Sequence, residues 1–272
     1  MIRTAAALAL ALTALPAAAE DAPYRPDCDR IDAFLGKMVA DGRTVGAAAL
    51  VWKDGAEACF EAAGDADRET ARRMTRDTLF QIYSMTKPVT GVALMQLWEQ
   101  GKFGLDDPLE WHLPEFAALK VVDGENPDGS PILREPRRKV TVRDVLRHTA
   151  GFTYGADGEP QNAADRAWNR LQPLAFDKTL AEFSQTMAQV PLLYDPGTHW
   201  HYSAGVDVQA RLVEALSGQP FADYVAEHIF QPLGMKDSGW KRTAADRARL
   251  ASAYHGEAGA LEGAWACGDV SA

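Results

Sequence analysis

The sequence predicts an α/β (α+β) fold in which an antiparallel sheet flanked by helices is joined to a mainly helical domain. Three observations carry this expectation. A helix-period segment near residue 30 runs directly into two short apolar stretches joined by "KDG", an extended run changes to helical spacing at Ser84, and beyond Leu105 the apolar patterns are helical. With 272 residues, 47% hydrophobic and 24% charged, the chain can bury a sizeable core, and disorder is not the default reading.

The N-terminus, "MIRTAAALALALTALPAAAE", combines Arg3, an apolar run from Thr4 to Leu15 and small residues at Ala17 to Ala19. That is the pattern of a secretory signal peptide at 1–19, and it predicts an exported, periplasmic protein. No later stretch reaches the roughly 20 apolar residues of a spanning helix, so no membrane span is expected.

Residues 29–41 place Ile31, Phe34, Leu35, Met38 and Val39 at helical spacing before Gly42, which predicts an amphipathic helix. "TVGAAALVWKDG" and "EACFEAAGDAD" predict a hairpin, and the extended run Thr78 to Tyr83 is expected to return to the same sheet. Val89, Val92, Ala93, Leu97 and Trp98 then predict a buried helix stopped by Gly101. Pro88 is tolerable only in a first turn, so that helix must begin close to Ser84. Further on, "VTVRDVLRH", "LQPLAFDKTLAEFSQTMAQV", "GVDVQARLVEALSG" and "PFADYVAEHIFQPLG" read as helical, with no clear strand until the chain's end. The expected division is a signal peptide at 1–19, a partial α/β domain at 20–104 carrying the helix at Ser84, a helical domain at 105–245, and the start of a return to the α/β domain at 246–272.

The net charge of −10 argues against nucleic acid and anionic membrane surfaces as partners, leaving small molecules. The basic cluster Arg134, Arg137, Arg138, Lys139, Arg143 and Arg147 sits among prolines and acidic residues and reads as a solvated face. Cys28, Cys59 and Cys267 are an odd set in an oxidising compartment, so at most one disulfide can form, its pairing open. None has metal-site spacing. His199 and His201 flank Trp200 without a third ligand pattern and read as structural, so no metal or cofactor is expected. The sequence is silent on oligomeric state.

The stretch "YSMTKPVTG" places Ser84 three residues before Lys87, nearly one helical turn. A serine hydroxyl becomes a competent nucleophile when a base sits within about 3 Å in a fixed orientation. Lys87 can supply that base if burial or a positive field shifts it from a free-lysine pKa of about 10.4. The helix N-terminus supplies part of such a field and favours an oxyanion beside Ser84. The spacing alone is weak, because "SGWK", Ser238 to Lys241, matches it too; that match lacks a buried helix behind it.

Three further blocks follow in order: "VTVRDVLRHTAGFTYG", "DPGTHWHYSAGVDVQARLVEALSG" and "IFQPLGMKDSGW". With "YSMTK", they resemble the serine β-lactamase-like family, which includes class C β-lactamases, D-alanyl-D-alanine peptidases and the family VIII esterases. The resemblance covers about residues 29–240. It implies that Ser84 is the acylated nucleophile, Lys87 its activating partner, and Tyr202 of "HYSA" a partner in proton transfer. His148, in "RHTAG", matches a family position that reads as structural, capping carbonyls at a helix C-terminus.

Two departures shape the expectation. Where β-lactamases and peptidases of the family carry Tyr-x-Asn, the third position here is Ala204, which offers no amide to a substrate. The family's third motif, a Lys-Thr-Gly, His-x-Gly or Trp-Gly-Gly strand, has no match before the chain stops at "AWACGDVSA", so the C-terminal sheet strands are expected to be missing and the chain to be a truncated form. The expected function is a secreted serine hydrolase, an esterase first, with a β-lactam or D-alanyl peptide substrate second. A catalytically impaired binding protein on the same scaffold is the alternative from another class.

Overall fold

A computed structural model describes residues 26–156, 158–240 and 242–264. The expected signal peptide and Cys267 lie outside the described residues. The described chain groups into two compact units, 26–78 with 252–264, and 79–251.

In the first unit, helix α1 spans Cys28–Ala40, beginning where the Asp27 carboxylate accepts the Arg30 N–H at 3.0 Å. Leu35 is buried, while Phe34 points outward and is exposed, so the apolar face is narrower than its composition suggests. Strands β1 (Gly46–Lys53) and β2 (Ala56–Asp67) pair antiparallel with Lys53 opposite Ala56. The two turn residues Asp54 and Gly55 have φ of 52° and 78°, the left-handed pair that a two-residue hairpin matching strand twist requires. Gly46 faces Gly64, and a Cβ on either would come within 2.2 Å of a backbone oxygen, so only glycine permits this approach. Strand β3 is short, Arg72–Arg73, and pairs with the far edge of β2. A second small hairpin, Ala253–His255 with Glu262–Ala264, is tied to this unit by Ser252 N–H to Ala66 O at 2.8 Å.

Cys28 and Cys59 form the one disulfide that the odd count permits, joining the start of α1 to β2 across 31 residues. Closing a loop of that size restricts the unfolded chain by about 3–4 kcal/mol in the chain-entropy treatment. Replacing both cysteines by alanine is therefore expected to lower the unfolding free energy by about that amount, read by denaturant titration. An unchanged midpoint would show that the crosslink contributes nothing.

Among the described residues, the extended run at Thr78–Tyr83 forms no ladder with β1–β3, where the sequence led one to expect it. Leu79 makes one parallel bridge to Leu250, with its N–H to Arg249 O at 3.0 Å, and the chain then turns. Tyr83–Thr86 form a 3-10 turn that leads directly into helix α2, Lys87–Glu99. Pro88 sits in the first turn, where its missing N–H costs nothing, and Gly101 at φ 69° closes the other end. There the Gly101 N–H bonds to Trp98 O at 2.8 Å and the Lys102 N–H to Leu97 O at 3.0 Å, the paired closure of a Schellman motif.

Strands β4 (Val121–Glu125) and β5 (Pro131–Arg134) form a hairpin where the sequence reading expected none. Its turn is "NPDG", so proline and glycine chemistry was a signal outweighed by the polar flanks. Helices α3 (Val142–Leu146), α4 (Ala163–Leu171), α5 (Leu180–Met187), α6 (Gly205–Ser217), α7 (Phe221–Val225) and α8 (Ala244–Arg249) complete the second unit. Capping boxes start α3, α5 and α8, each with a threonine oxygen accepting an N–H three residues on.

One core unites this unit: Ala93, Leu94 and Leu97 of α2 share a cluster with Val208, Leu212 and Val213 of α6 and with Phe116, Phe152 and Met187. Because α2 buries its face here, it packs with the helical unit, and the division falls at Thr78/Leu79 where the sequence drew it at 104. Five of the cluster's six basic residues form ion pairs: Arg134 and Arg137 with Asp195, Arg138 with Asp144, Lys139 with Glu110, Arg143 with Asp106. The two arginines hold the Asp195 carboxyl down at about 2.

Candidate active site

Ser84 lies exposed in the 3-10 turn ahead of α2, and the residue before it, Tyr83, has φ of 44°. A bulky residue in the left-handed region costs energy, and such strain gathers where geometry is dictated by something other than the local chain. The turn continues as Lys87 N–H bonds to Ser84 O, which sets the two side chains on the same side. Lys87 Nζ donates to Ser84 Oγ at 3.0 Å.

Tyr202 arrives from 118 residues further on, in the loop that opens α6, and its hydroxyl lies 2.8 Å from Ser84 Oγ. The three residues singled out from the sequence therefore converge on one oxygen. Ser238 of the competing "SGWK" sits instead in a turn after Met235 and lines a small cleft with Leu79, Phe80 and Leu250; Lys241 lies outside the described residues.

The Tyr202 loop is held largely by His148. His148 follows α3 at φ 57°, accepts the His201 N–H on its carbonyl at 2.9 Å and the Ser203 N–H on Nδ1 at 3.2 Å. Its ring packs against that of Tyr202, tilted by 33° with centroids 5.1 Å apart. Burial, then the charges of Lys87 and His201, hold the His148 pKa below the ordinary histidine value. A neutral imidazole whose Nδ1 accepts carries its proton on Nε2. The expectation of a carbonyl-capping histidine captured its position but missed its grip on the tyrosine.

Two rings enclose the lysine. Lys87 Nζ stands 4.8 Å from the centre of the Tyr202 ring and 5.9 Å from that of Tyr154, and the two rings are 5.5 Å apart. Hydrogen bonding from Lys87, then from Ser84, pulls the Tyr202 phenol below its ordinary pKa. Tyr154 moves the opposite way, raised by burial and by the neighbouring charge of Asp207. Tyr154 went unremarked in the sequence, although it stands in the "HTAGFTYG" block; nothing in its spacing marks it out. Trp200, 67% exposed, lies tilted beside Tyr202 with ring centroids 6.5 Å apart. His199 bonds to Thr198 Oγ1 at 2.9 Å, and no metal-holding group of His, Cys, Asp or Glu occurs among the described residues.

A mainly helical unit, an antiparallel-sheet unit, and a serine, a lysine and a tyrosine that meet at one oxygen are the features of the serine β-lactamase-like class. The Beta-lactamase family profile matches residues 31–268, and the chain belongs to that family. It is 35% identical over 226 residues to Esterase EstB from Burkholderia gladioli, covering 83% of this chain and 54% of that one. Among solved structures it is similar to EstCE1, a hydrolase with promiscuous acyltransferase activity, at TM-score 0.73 and 31% identity over 87% of this chain and 58% of that one. Unliganded Simvastatin Synthase (LovD) from Aspergillus terreus matches at TM-score 0.75 and 27% identity, over 87% of this chain and 61% of that one. The chain spans about half the length of the curated relatives it matches. Among the described residues no helix is long and apolar enough to cross a membrane.

Proposed function

We propose that the protein is an exported serine hydrolase that cleaves esters with small or medium acyl groups through an acyl-enzyme on Ser84. The observation that carries this reading is the meeting at Ser84 Oγ of the Lys87 amine, 3.0 Å away, and the Tyr202 hydroxyl, 2.8 Å away. Ser84 Oγ attacks the ester carbonyl carbon while its proton passes to the Lys87–Tyr202 pair. The bond to the leaving alkoxy oxygen breaks, and that oxygen takes the proton. Water then adds to the acyl carbon, assisted by the same pair, releasing the carboxylic acid and restoring Ser84. A phenol held below its ordinary pKa by an adjacent cation is closer to the operating pH of a general base than a free tyrosine. Ser84 also stands just ahead of α2, whose positive end favours the oxyanion formed on attack.

The ester preference rests on Ala204, which is fully buried and apolar where an amide-binding asparagine would stand, and on the esterase relative. Export is supported by the leader pattern at 1–19 and by the Cys28–Cys59 disulfide, which persists in oxidising compartments. A second reading, favoured by the description of EstCE1, has an alcohol rather than water resolve the acyl-enzyme.

The deciding assay compares a chromogenic butyrate ester with a chromogenic cephalosporin. Ester turnover well above cephalosporin turnover is expected, and the reverse order would sink the ester reading. A stable adduct without turnover would identify the impaired binding protein instead.

A further inference from the structure

Close to the site lies a carboxyl group that the chemistry above does not use. Asp207 stands in the first turn of α6, five residues after Tyr202, and is half-buried. Its Oδ2 accepts from the Tyr154 hydroxyl at 3.4 Å. Burial raises its pKa, with the Lys87 charge and the Tyr154 bond pulling the other way.

Tyr154 is itself firmly placed. The neighbouring Thr153 is fully buried and donates to Asp165 at 2.6 Å, its oxygen accepts the Gly155 N–H at 2.9 Å, and the Tyr154 ring meets Trp168 edge-on at 5.9 Å. Its own phenol is pushed up by burial, so it serves as a neutral donor to Asp207. One face of this fixed ring lies against Tyr202 at 5.5 Å, and Lys87 Nζ stands 5.9 Å from its centre.

We propose that Asp207, linked through Tyr154, is a positioning residue that sets how the site's proton is shared between Lys87 and Tyr202. The proposal rests on the Lys87–Tyr202 reading given above. Two biases meet at the Tyr202 oxygen: the Lys87 cation favours phenolate there, and the Asp207 charge opposes it. The same Asp207 charge is attracted to the Lys87 cation. An ionised Asp207 therefore favours ammonium on Lys87 with neutral phenol on Tyr202, and a protonated Asp207 releases that bias.

The titratable groups around this set are Lys87 from α2, Tyr154 from the loop after α3, Tyr202 from the loop before α6, and His148 with His201 beside them. His148 is held below the usual histidine range, so its proton leaves at lower pH than a free imidazole's. An aspartate in a first helical turn also has a plain structural use, since a negative charge favours the helix N-terminus. The test must separate the two.

Asp207→Asn keeps the side-chain shape and removes the charge. Loss of a nearby negative charge lowers every neighbouring pKa, so the whole pH profile of kcat/KM for ester hydrolysis is expected to move to lower pH by about 0.5–1 unit. Asp207→Glu is expected to return the profile to its original position. Tyr154→Phe leaves the carboxylate without its donor, keeps it protonated to higher pH, and is expected to move the profile the same way by less. A purely helix-starting role would lower the height of the profile and the Tm and leave both limbs in place. An unmoved profile in folded Asp207→Asn overturns the proposal, and should that variant not fold, an unmoved profile in Tyr154→Phe does so. Ser84→Ala measured alongside separates the failures: if it abolishes turnover while the Asp207 variants show unmoved limbs, the Asp207 assignment alone falls.

Discussion

Ser84→Ala is expected to lower ester turnover by about 10⁴-fold or more and to eliminate acylation of the chain by an activated ester. The size follows from what the hydroxyl does in this arrangement. Ser84 Oγ is the shared partner of Lys87 and Tyr202, and removing it leaves no oxygen for them to deprotonate and none to bond to the substrate carbonyl carbon. Residual rate would come from binding and from any oxyanion stabilisation, the part of catalysis that survives loss of a nucleophile in other acyl-transfer sites. Two readouts make the outcome decisive. Steady-state hydrolysis of a chromogenic ester reports turnover, and intact-mass measurement after mixing reports the adduct. A variant with turnover close to the parent would remove Ser84 from the chemistry.

Lys87→Met and Tyr202→Phe are each expected to cost about 10²–10⁴ in kcat, and the double variant no more than about tenfold beyond the worse single one. Groups that act as one unit lose their function together, so the second removal adds little. The hydrogen bond that Lys87 gives is the leading cause of the lowered Tyr202 pKa, so Lys87→Met is expected to let that pKa rise and shift the acid limb of the pH–rate profile upward. Asp207→Asn is expected to shift it downward. Opposite displacements of that limb from a lost cation and a lost anion would show that both charges act on the same ionisation. Independent, additive losses with unmoved limbs would mean that Lys87 and Tyr202 do not share it.

Several of these elements were readable from local chemistry. The "KDG" turn demanded left-handed backbone at two adjacent residues, and Asp54 and Gly55 adopt it. Pro88 limited where α2 could begin and Gly101 where it could end, which located Ser84 at a helix start. The hairpin at Val121 to Arg134 was missed because its strands are short and polar on one face, so pairing with each other, not apolar alternation, makes them strands. The run at Thr78–Tyr83 had the composition of a strand, yet beyond the single bridge at Leu79 the chain enters the turn that carries Ser84.

By itself the sequence determined which residues could do the chemistry: a serine and a lysine one turn apart, and a tyrosine in a block recognisable from the family. Those are properties of spacing and residue type, and they survive without coordinates. Only the tertiary structure decided that Tyr202 meets Ser84 at 2.8 Å, that His148 clasps the tyrosine's loop, and that Tyr154 stands near the lysine and bonds to Asp207. Such contacts join residues tens of positions apart. Their energies depend on distance, burial and the local dielectric, and none of these quantities is encoded in any short stretch of chain.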